Sequence, residues 1–294
     1  MPVERTSIIA TVNFKGGVGK TTLTWLLAKC ASQEDNVLVI DADAQMSLTT
    51  AIELAEETGQ WVSNEFKEWF EQHREKKKAL INAIEKFTDA SGRFDFPIDR
   101  YVVYKHAETL WFIPATAELY WMTLEVFSRE QIRSFVPEFL RKLSRVSWLP
   151  KFRYCFFDCP PSFSYLSYSI LTNCDLMLIP VNPDVFADRG LNILLEGLTL
   201  VLDPHPLPKV AVFMNRARPY MGGYTRETRH FWDLVERECN KWRQLRGLNI
   251  KPLNTFVPDR VDIKRSIQRG GRLPPELGQI IKRLWDEIET FLRE

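Results

Sequence analysis

Along the 294 residues, short apolar runs ending in polar residues alternate with longer segments whose apolar positions recur at helical spacing. The runs are "SIIATVNF", "NVLVIDAD", "LWFIPAT", "FRYCFFDCPPS", "DLMLIPVN" and "VAVFMNRA". Each is too short for a buried helix and is bounded by Pro, Asn or Asp, so each predicts a strand. Between the first two lies "TTLTWLLAKCAS", whose apolar residues fall three and four apart and predict a helix. The alternation predicts an α/β fold, a mostly parallel sheet flanked by helices on both faces. Polar residues collect at the C-terminal ends of the strands, the edge where open parallel sheets bind ligands.

Two segments depart from this rhythm. Residues from about 51 to 100 include "NEFKEWFEQHREKKKALINAIEKF", charged and helical in period, which predicts a solvated helical insertion or a partner surface. At the other end, "PPELGQIIKRLWDEIETFLRE" places Leu277, Ile280, Ile281, Leu284, Trp285, Ile288 and Phe291 on one helical face. Its polar face mixes acids with bases instead of being basic, so a helix over about 275–293 is expected to dock on the core and not on a membrane. No linker or internal repeat divides the chain, and residues 1–294 are expected to form one domain.

Composition narrows the reading. The chain has 39 basic and 38 acidic residues, so any polyanion would have to be bound by a local patch. Five cysteines without a secreted-scaffold spacing read as reduced core thiols. The opening "MPVERTSIIATVNF" lacks the apolar run of a signal peptide, and no window is long and apolar enough to span a bilayer. A soluble, cytoplasmic protein is expected.

The strongest chemical signal is "NFKGGVGKTT", Asn13 to Thr22. Gly16, Gly17 and Gly19 let successive backbone N–H groups face phosphate oxygens, and the helix that follows aims its positive end at the same place. Val18, Lys20, Thr21 and Thr22 complete the loop: Lys20 is a mobile cation for the β- and γ-phosphates, and the Thr21 hydroxyl suits magnesium. The usual G-x-x-x-x-G-K-[ST] pattern fails because Phe14 stands at its first position, and a second lysine, Lys15, precedes the glycines.

This K-G-G-x-G-K-T-T string resembles the deviant Walker A motif of the ParA/MinD family of ATPases. The resemblance implies ATP and Mg2+ as cofactors, and a homodimer in which Lys15 reaches across to the partner's nucleotide. "VLVIDADAQMSLTT" is similar to the family's D-x-D-P-Q motif, with Ala44 in place of proline. By that match Asp43 would position or activate the attacking water and Asp41 would help to hold the magnesium shell, although paired aspartates at a strand end also serve as helix caps. "YCFFDCPPS" looks like a Walker B strand, with Asp158 facing the metal. Further segments, among them "FVPDRVDIKRSIQRGG", resemble the ParA/Soj partition group, and by that likeness Asn215 and Pro258 would contact the adenine. The group's biology implies nonspecific double-stranded DNA as the matrix, a ParB-like or other adaptor that stimulates hydrolysis, a nucleoid-associated location and no membrane.

Charge gives separate support for DNA. From Lys209 to Glu294 there are 18 Lys and Arg against 11 Asp and Glu. Arg216, Arg218, Lys264, Arg265, Arg269 and Arg272 are the candidate phosphate contacts, while Asp259 and Asp262 among them also allow an ordinary mixed surface. With the first strand beginning almost at the N-terminus, a helix-turn-helix ahead of it is not expected. The alternative is a MinD-like ATPase positioned on a membrane or protein surface. An iron–sulfur reductase of the superfamily fits less well, because Cys155 and Cys159 lie inside an apolar strand.

Overall fold

The structure is a computed structural model that describes residues 5–57, 79–89, 103–120, 130–185, 187–203, 205 and 207–294. Its frame is set by apolar runs buried on both sides. β1 (Ser7–Thr11), β2 (Val37–Asp41), β4 (Leu110–Ile113), β5 (Tyr154–Asp158), β6 (Leu176–Val181), β7 (Lys209–Met214) and β10 (Ile250–Pro252) lie parallel, and β3 (Tyr104–Lys105) adds an antiparallel edge. Almost every residue of β2, β5 and β6 is buried, as expected of strands covered on both faces. The order is β10-β7-β6-β1-β5-β2-β4-β3, so β1 sits between β5 and β6 while its sequence neighbour β2 is displaced to the far side of β5. That reversal of direction beside β1 opens a crevice at the carboxyl ends, which is where such sheets hold ligands.

Helices flank the sheet. α1 (Lys20–Ala31) packs with α2 (Ser47–Glu57), with α8 (Val261–Ser266) and with the C-terminal helix α9 (Pro275–Arg293). A second chain of contacts runs through α4 (Phe135–Leu143), α5 (Tyr165–Asn173), α6 (Ala187–Leu202) and α7 (Arg226–Arg246). α9 buries Leu277, Ile281, Leu284, Trp285, Ile288 and Phe291. Its Trp285 ring meets Tyr154 edge-on at 5.0 Å, and Glu289 accepts the Tyr154 hydroxyl. No described helix is long and apolar enough to cross a membrane.

Within the segment at about 51–100, the "REKKK" run lies outside the described residues. α3 (Leu80–Asp89) buries Leu80, Ile81, Ala83, Ile84 and Phe87, so this part of the segment belongs to the core and is not a solvated insertion. The free cysteines are buried apart from the half-buried Cys30. Burial drives the Cys155, Cys159 and Cys174 thiols well above their usual range, which makes them inert packing groups.

A small hairpin, β8 (Pro219–Tyr220) with β9 (Gly223–Tyr224), follows β7.

Candidate nucleotide-binding site

The glycine loop leaves the carboxyl end of β1 in the sheet crevice. Asn13 shapes its entry: the side-chain amide donates to the Pro180 carbonyl at 2.9 Å, and its oxygen accepts the Lys15 N–H at 2.9 Å. Gly17 and Gly19 have φ of 71° and 92°, left-handed values that other residues adopt only with strain. Gly19 caps α1 without a side-chain hydrogen bond, so the first amides of the helix have no acceptor from a cap. Such an end attracts an anion through both its N–H groups and its dipole.

Opposite the loop stands Asn215, at the end of β7. Its side-chain amide donates to the Val18 carbonyl at 2.7 Å, and its backbone N–H donates to Val181 at 2.7 Å. A Cβ at Gly19 would lie 2.4 Å from the Asn215 amide nitrogen. Asn215 therefore holds the loop as well as lining, with Gly19, Thr22, Arg216 and Pro258, a narrow cleft at the loop's end. Sequence reasoning assigned Asn215 to the base alone. Its bond to Val18 spans 197 residues and leaves no local signal.

Three polar side chains stand in register where β1, β5 and β2 end: Thr11 opposite Asp158, and Asp158 opposite Asp41. Lys20 reaches this row and is only 9% exposed. Burial lowers its pKa, and the carboxylates of Asp158 and Asp43 oppose that shift. Asp158 is held well above the usual carboxylate range, first by burial and then by Asp41, while hydrogen bonding to Thr21 and the Lys20 charge pull it down. Its Oδ1 is buried and unpartnered. A buried carboxylate oxygen without a donor, beside a threonine hydroxyl and a lysine, is a hard oxygen ligand that fits Mg2+.

Asp41 stands differently. Its Oδ2 accepts the Thr49 N–H at 2.9 Å and the Thr49 hydroxyl at 2.8 Å, and its Oδ1 accepts the Asp43 N–H at 3.1 Å. It braces the turn into α2, which is the capping arrangement the sequence left open, and burial pushes its pKa up to about 6. Asp43 accepts the Gln45 N–H at 2.9 Å and lines a small cavity with Gln45, Pro160, Pro161 and Ser162.

Lys15 lies outside this buried cluster. Its ammonium meets Asp184 at 2.6 Å at the protein surface. The basic candidates are spread along the segments after β7. Arg218 pairs with Glu227 at 2.9 Å, Lys264 with Asp259 at 2.7 Å, and Arg269 approaches Asp262 at 3.9 Å, so part of the patch is neutralised within the chain. Arg216, at φ 54°, follows Asn215 directly, whereas Arg265 and Arg272 are exposed on and after α8. Near Arg272, the Lys29 ammonium at the end of α1 donates to the Gly270 carbonyl, a tie the sequence did not reveal.

Known proteins resemble this chain in sequence and in fold. Residues 6–205 match the AAA_31 family, described as an AAA domain. The chain is 28% identical over 195 residues to the chromosome partitioning protein ParA of Myxococcus xanthus, covering 66% of this chain and 58% of that protein. It is 28% identical over 200 residues to the sporulation initiation inhibitor protein Soj of Bacillus subtilis, covering 66% and 65%. These matches thus span about six tenths of the relatives' length. Apo McdA of Cyanothece superposes with a TM-score of 0.71 at 20% identity, over 98% of this chain and 100% of that one. A Borrelia burgdorferi protein described as a plasmid partition protein bound to AMPPNP superposes at 0.69 and 18% identity, over 98% and 99%. Cobyrinic acid a,c-diamide synthase of Mycobacterium smegmatis, with bound ADP and magnesium, superposes at 0.65 and 18% identity, over 99% and 96%. The fold therefore hosts more than one chemistry, and the family rests on the sequence match: the chain belongs to the AAA_31 family, among the ParA/MinD-type P-loop ATPases.

Proposed function

We propose that the protein is an ATP-dependent, dimerising ATPase of ParA type that positions or segregates DNA or another cargo. The observation that carries this reading is buried Lys20 within the electrostatic reach of Asp158, whose buried Oδ1 lacks a partner, where the glycine loop enters α1. Loop amides from Gly16 to Thr22 cradle the phosphates, and Lys20 neutralises charge on the β- and γ-oxygens. Thr21 and Asp158 would hold Mg2+, which would supply positive charge against the phosphate tail. Asp41 acts one step further out: because its oxygens already accept from Thr49 and Asp43, it fixes the turn that aims Asp43. Asp43 orients the attacking water beside the Pro160–Pro161 turn. Pro258 and the cleft at Asn215 take the adenosine.

Lys15 serves the partner's nucleotide and leaves Asp184 to do so, which makes dimerisation depend on ATP. The dimer doubles a basic surface formed by Arg216, Arg218, Lys264, Arg265, Arg269 and Arg272, and so binds duplex DNA without reading sequence. A ParB-like adaptor accelerates hydrolysis and releases the dimer. The relatives named as chromosome partitioning and sporulation proteins support the positioning role.

The test combines nucleotide, dimer and DNA readouts. Lys20→Ala abolishes ATP-dependent behaviour, Lys15→Ala prevents the ATP dimer or its hydrolysis, and Asp43→Ala traps the ATP dimer with hydrolysis slowed about 100-fold or more. Wild-type hydrolysis by Asp43→Ala removes the water-positioning role.

A further inference from the structure

The β8–β9 hairpin, just beyond Asn215, carries chemistry that nucleotide binding does not use. Its two turn residues, Met221 and Gly222, have φ of 44° and 74°. Left-handed backbone at both positions is the type I′ geometry that selects Asn-Gly or Gly-Gly. A methionine takes the first position here, where a non-glycine residue costs about 1–2 kcal/mol. Met221 is 89% and Tyr220 59% exposed, so packing within the described residues does not offset that strain.

The base of the hairpin is held firmly. The Tyr224 hydroxyl donates to the Phe256 carbonyl at 3.1 Å, the Thr225 N–H to Arg218 at 3.0 Å, and the Arg218 N–H to the Thr228 hydroxyl at 3.2 Å. In the chain it is flanked by Arg216, Arg218, Arg226 and Arg229, with Glu227, which pairs with Arg218, as the one acid between positions 216 and 229; Asp259 comes alongside through its N–H bond to the Ala217 carbonyl. The Arg229 guanidinium lies against Gly223, where a Cβ would meet it at 2.7 Å. The tip thus presents Tyr220 and Met221 on a hydrogen-bonded base flanked by arginines in the chain.

We infer that this hairpin is a wedge for duplex DNA: Tyr220 and Met221 enter the minor groove at a base step while Arg218, Arg226 and Arg229 hold the flanking phosphates. Apolar wedges between base steps are how proteins with cationic flanks unstack and bend a duplex. A lipid surface is disfavoured because two side chains bury too little apolar area for stable anchoring. The inference rests on the DNA reading above and adds a contact that is not electrostatic. Chain connectivity ties it to the nucleotide: only Arg216, Ala217 and Arg218 separate Asn215, which grips the Val18 carbonyl, from the start of β8.

The experiment titrates the full-length chain, with ATP and Mg2+, onto a duplex of about 30 base pairs containing 2-aminopurine, over a series of salt concentrations. Tyr220→Ala and Met221→Gly should each weaken binding about tenfold at every salt concentration, leaving the slope of log K against log salt unchanged, and should remove the fluorescence rise of the unstacked base. Arg218→Ala should instead lower the slope by about one. Met221→Gly keeps the turn and relieves its strain, so an unchanged or raised Tm shows that the loss is not misfolding. ATP-dependent binding that both tip variants retain at wild-type affinity overturns the wedge and leaves the DNA reading intact. Absence of DNA binding by the wild type in every nucleotide state overturns both. Binding to phosphatidylserine vesicles, lost in Met221→Gly and with none to DNA, assigns the tip to lipid and also overturns the wedge.

Discussion

Replacing Gly19 with alanine tests whether the loop's shape is imposed by Asn215. At φ 92° an alanine is strained by about 1–3 kcal/mol. Its Cβ would sit 2.4 Å from the Asn215 amide nitrogen, so that side chain must move and release the Val18 carbonyl. Stranding a buried polar group costs a further 1–3 kcal/mol or so. A sum near 4 kcal/mol shifts the loop out of its binding shape and lowers ATP affinity by about 100- to 1,000-fold. Asn215→Ala alone loses the hydrogen bond but not the backbone shape, and should cost about tenfold. In the double variant the clash is gone and only the φ strain is added, so the two losses fall short of additivity by about 2 kcal/mol. Titration with a fluorescent ATP analogue, alongside thermal melts, measures the cycle. Gly278→Ala, on α9 and outside the site, is the control: no neighbouring side chain lies within 4 Å of its Cβ position, so ATP affinity stays at the wild-type value. ATP affinity within threefold of wild type for Gly19→Ala, or strict additivity in the double variant, refutes the reasoning.

Asp158→Asn should raise the Tm of the nucleotide-free protein, because it removes a buried carboxylate whose Oδ1 has no partner, and weaken Mg2+-dependent nucleotide binding at least tenfold. The pH dependence follows from the same carboxylates. Burial raises Asp158, and raises Asp41 to about 6, against an ordinary value of 3.8, so between those values the folded chain holds more protons than the unfolded one. The contribution of Asp41 is greatest below about pH 4 and is lost as pH rises through about 6, and Asp158 acts in the same direction, so the denaturation midpoint of the wild type should fall with rising pH more steeply than that of Asp158→Asn. Trp285→Ala, which empties the site where α9 meets Tyr154 and Phe156, should cost about 3–5 kcal/mol by denaturant unfolding. Gly271→Ala places a Cβ 2.5 Å from the Lys29 side chain at φ 78°, and should lower stability by about 1–3 kcal/mol in the same assay.

Where local chemistry determines structure, the sequence was readable. All six apolar runs form strands, and the apolar stripe of α9 is buried except for Ile280, which is half-buried. The glycine loop, Lys20 and Asp158 stand together because each lies at or just beyond the end of a strand that sheet order brings to one edge. Unread features depend on distant partners. β10 is three residues long and β3 two, too short for any periodicity. The hairpin after β7 has turn residues of the wrong type at its first position, so Met-Gly concealed it. Asp41 and Asp158 look alike as strand-end carboxylates, and only the position of Thr49 separates a braced oxygen from an unpartnered one. The basic patch was legible as charge, with Asp259 and Asp262 among it, but which base each acid takes, and the pairing of Glu227 with Arg218, depends on the folded chain.

The link between Val18 and Asn215 also governs when the protein becomes competent. β1 precedes the other described strands in the chain, yet its partners are β5 and β6, and the residue that grips its loop arrives 197 residues after Val18. The AAA_31 match itself ends at residue 205, short of Asn215. At about 5–20 residues per second, some 10–40 s of synthesis separate the loop from its clasp. Throughout that interval the growing chain contains the complete phosphate-binding sequence without the support that shapes it. By the tenfold loss assigned to Asn215→Ala, the growing chain holds ATP only weakly over that interval, and full affinity arrives when Asn215 closes on the Val18 carbonyl.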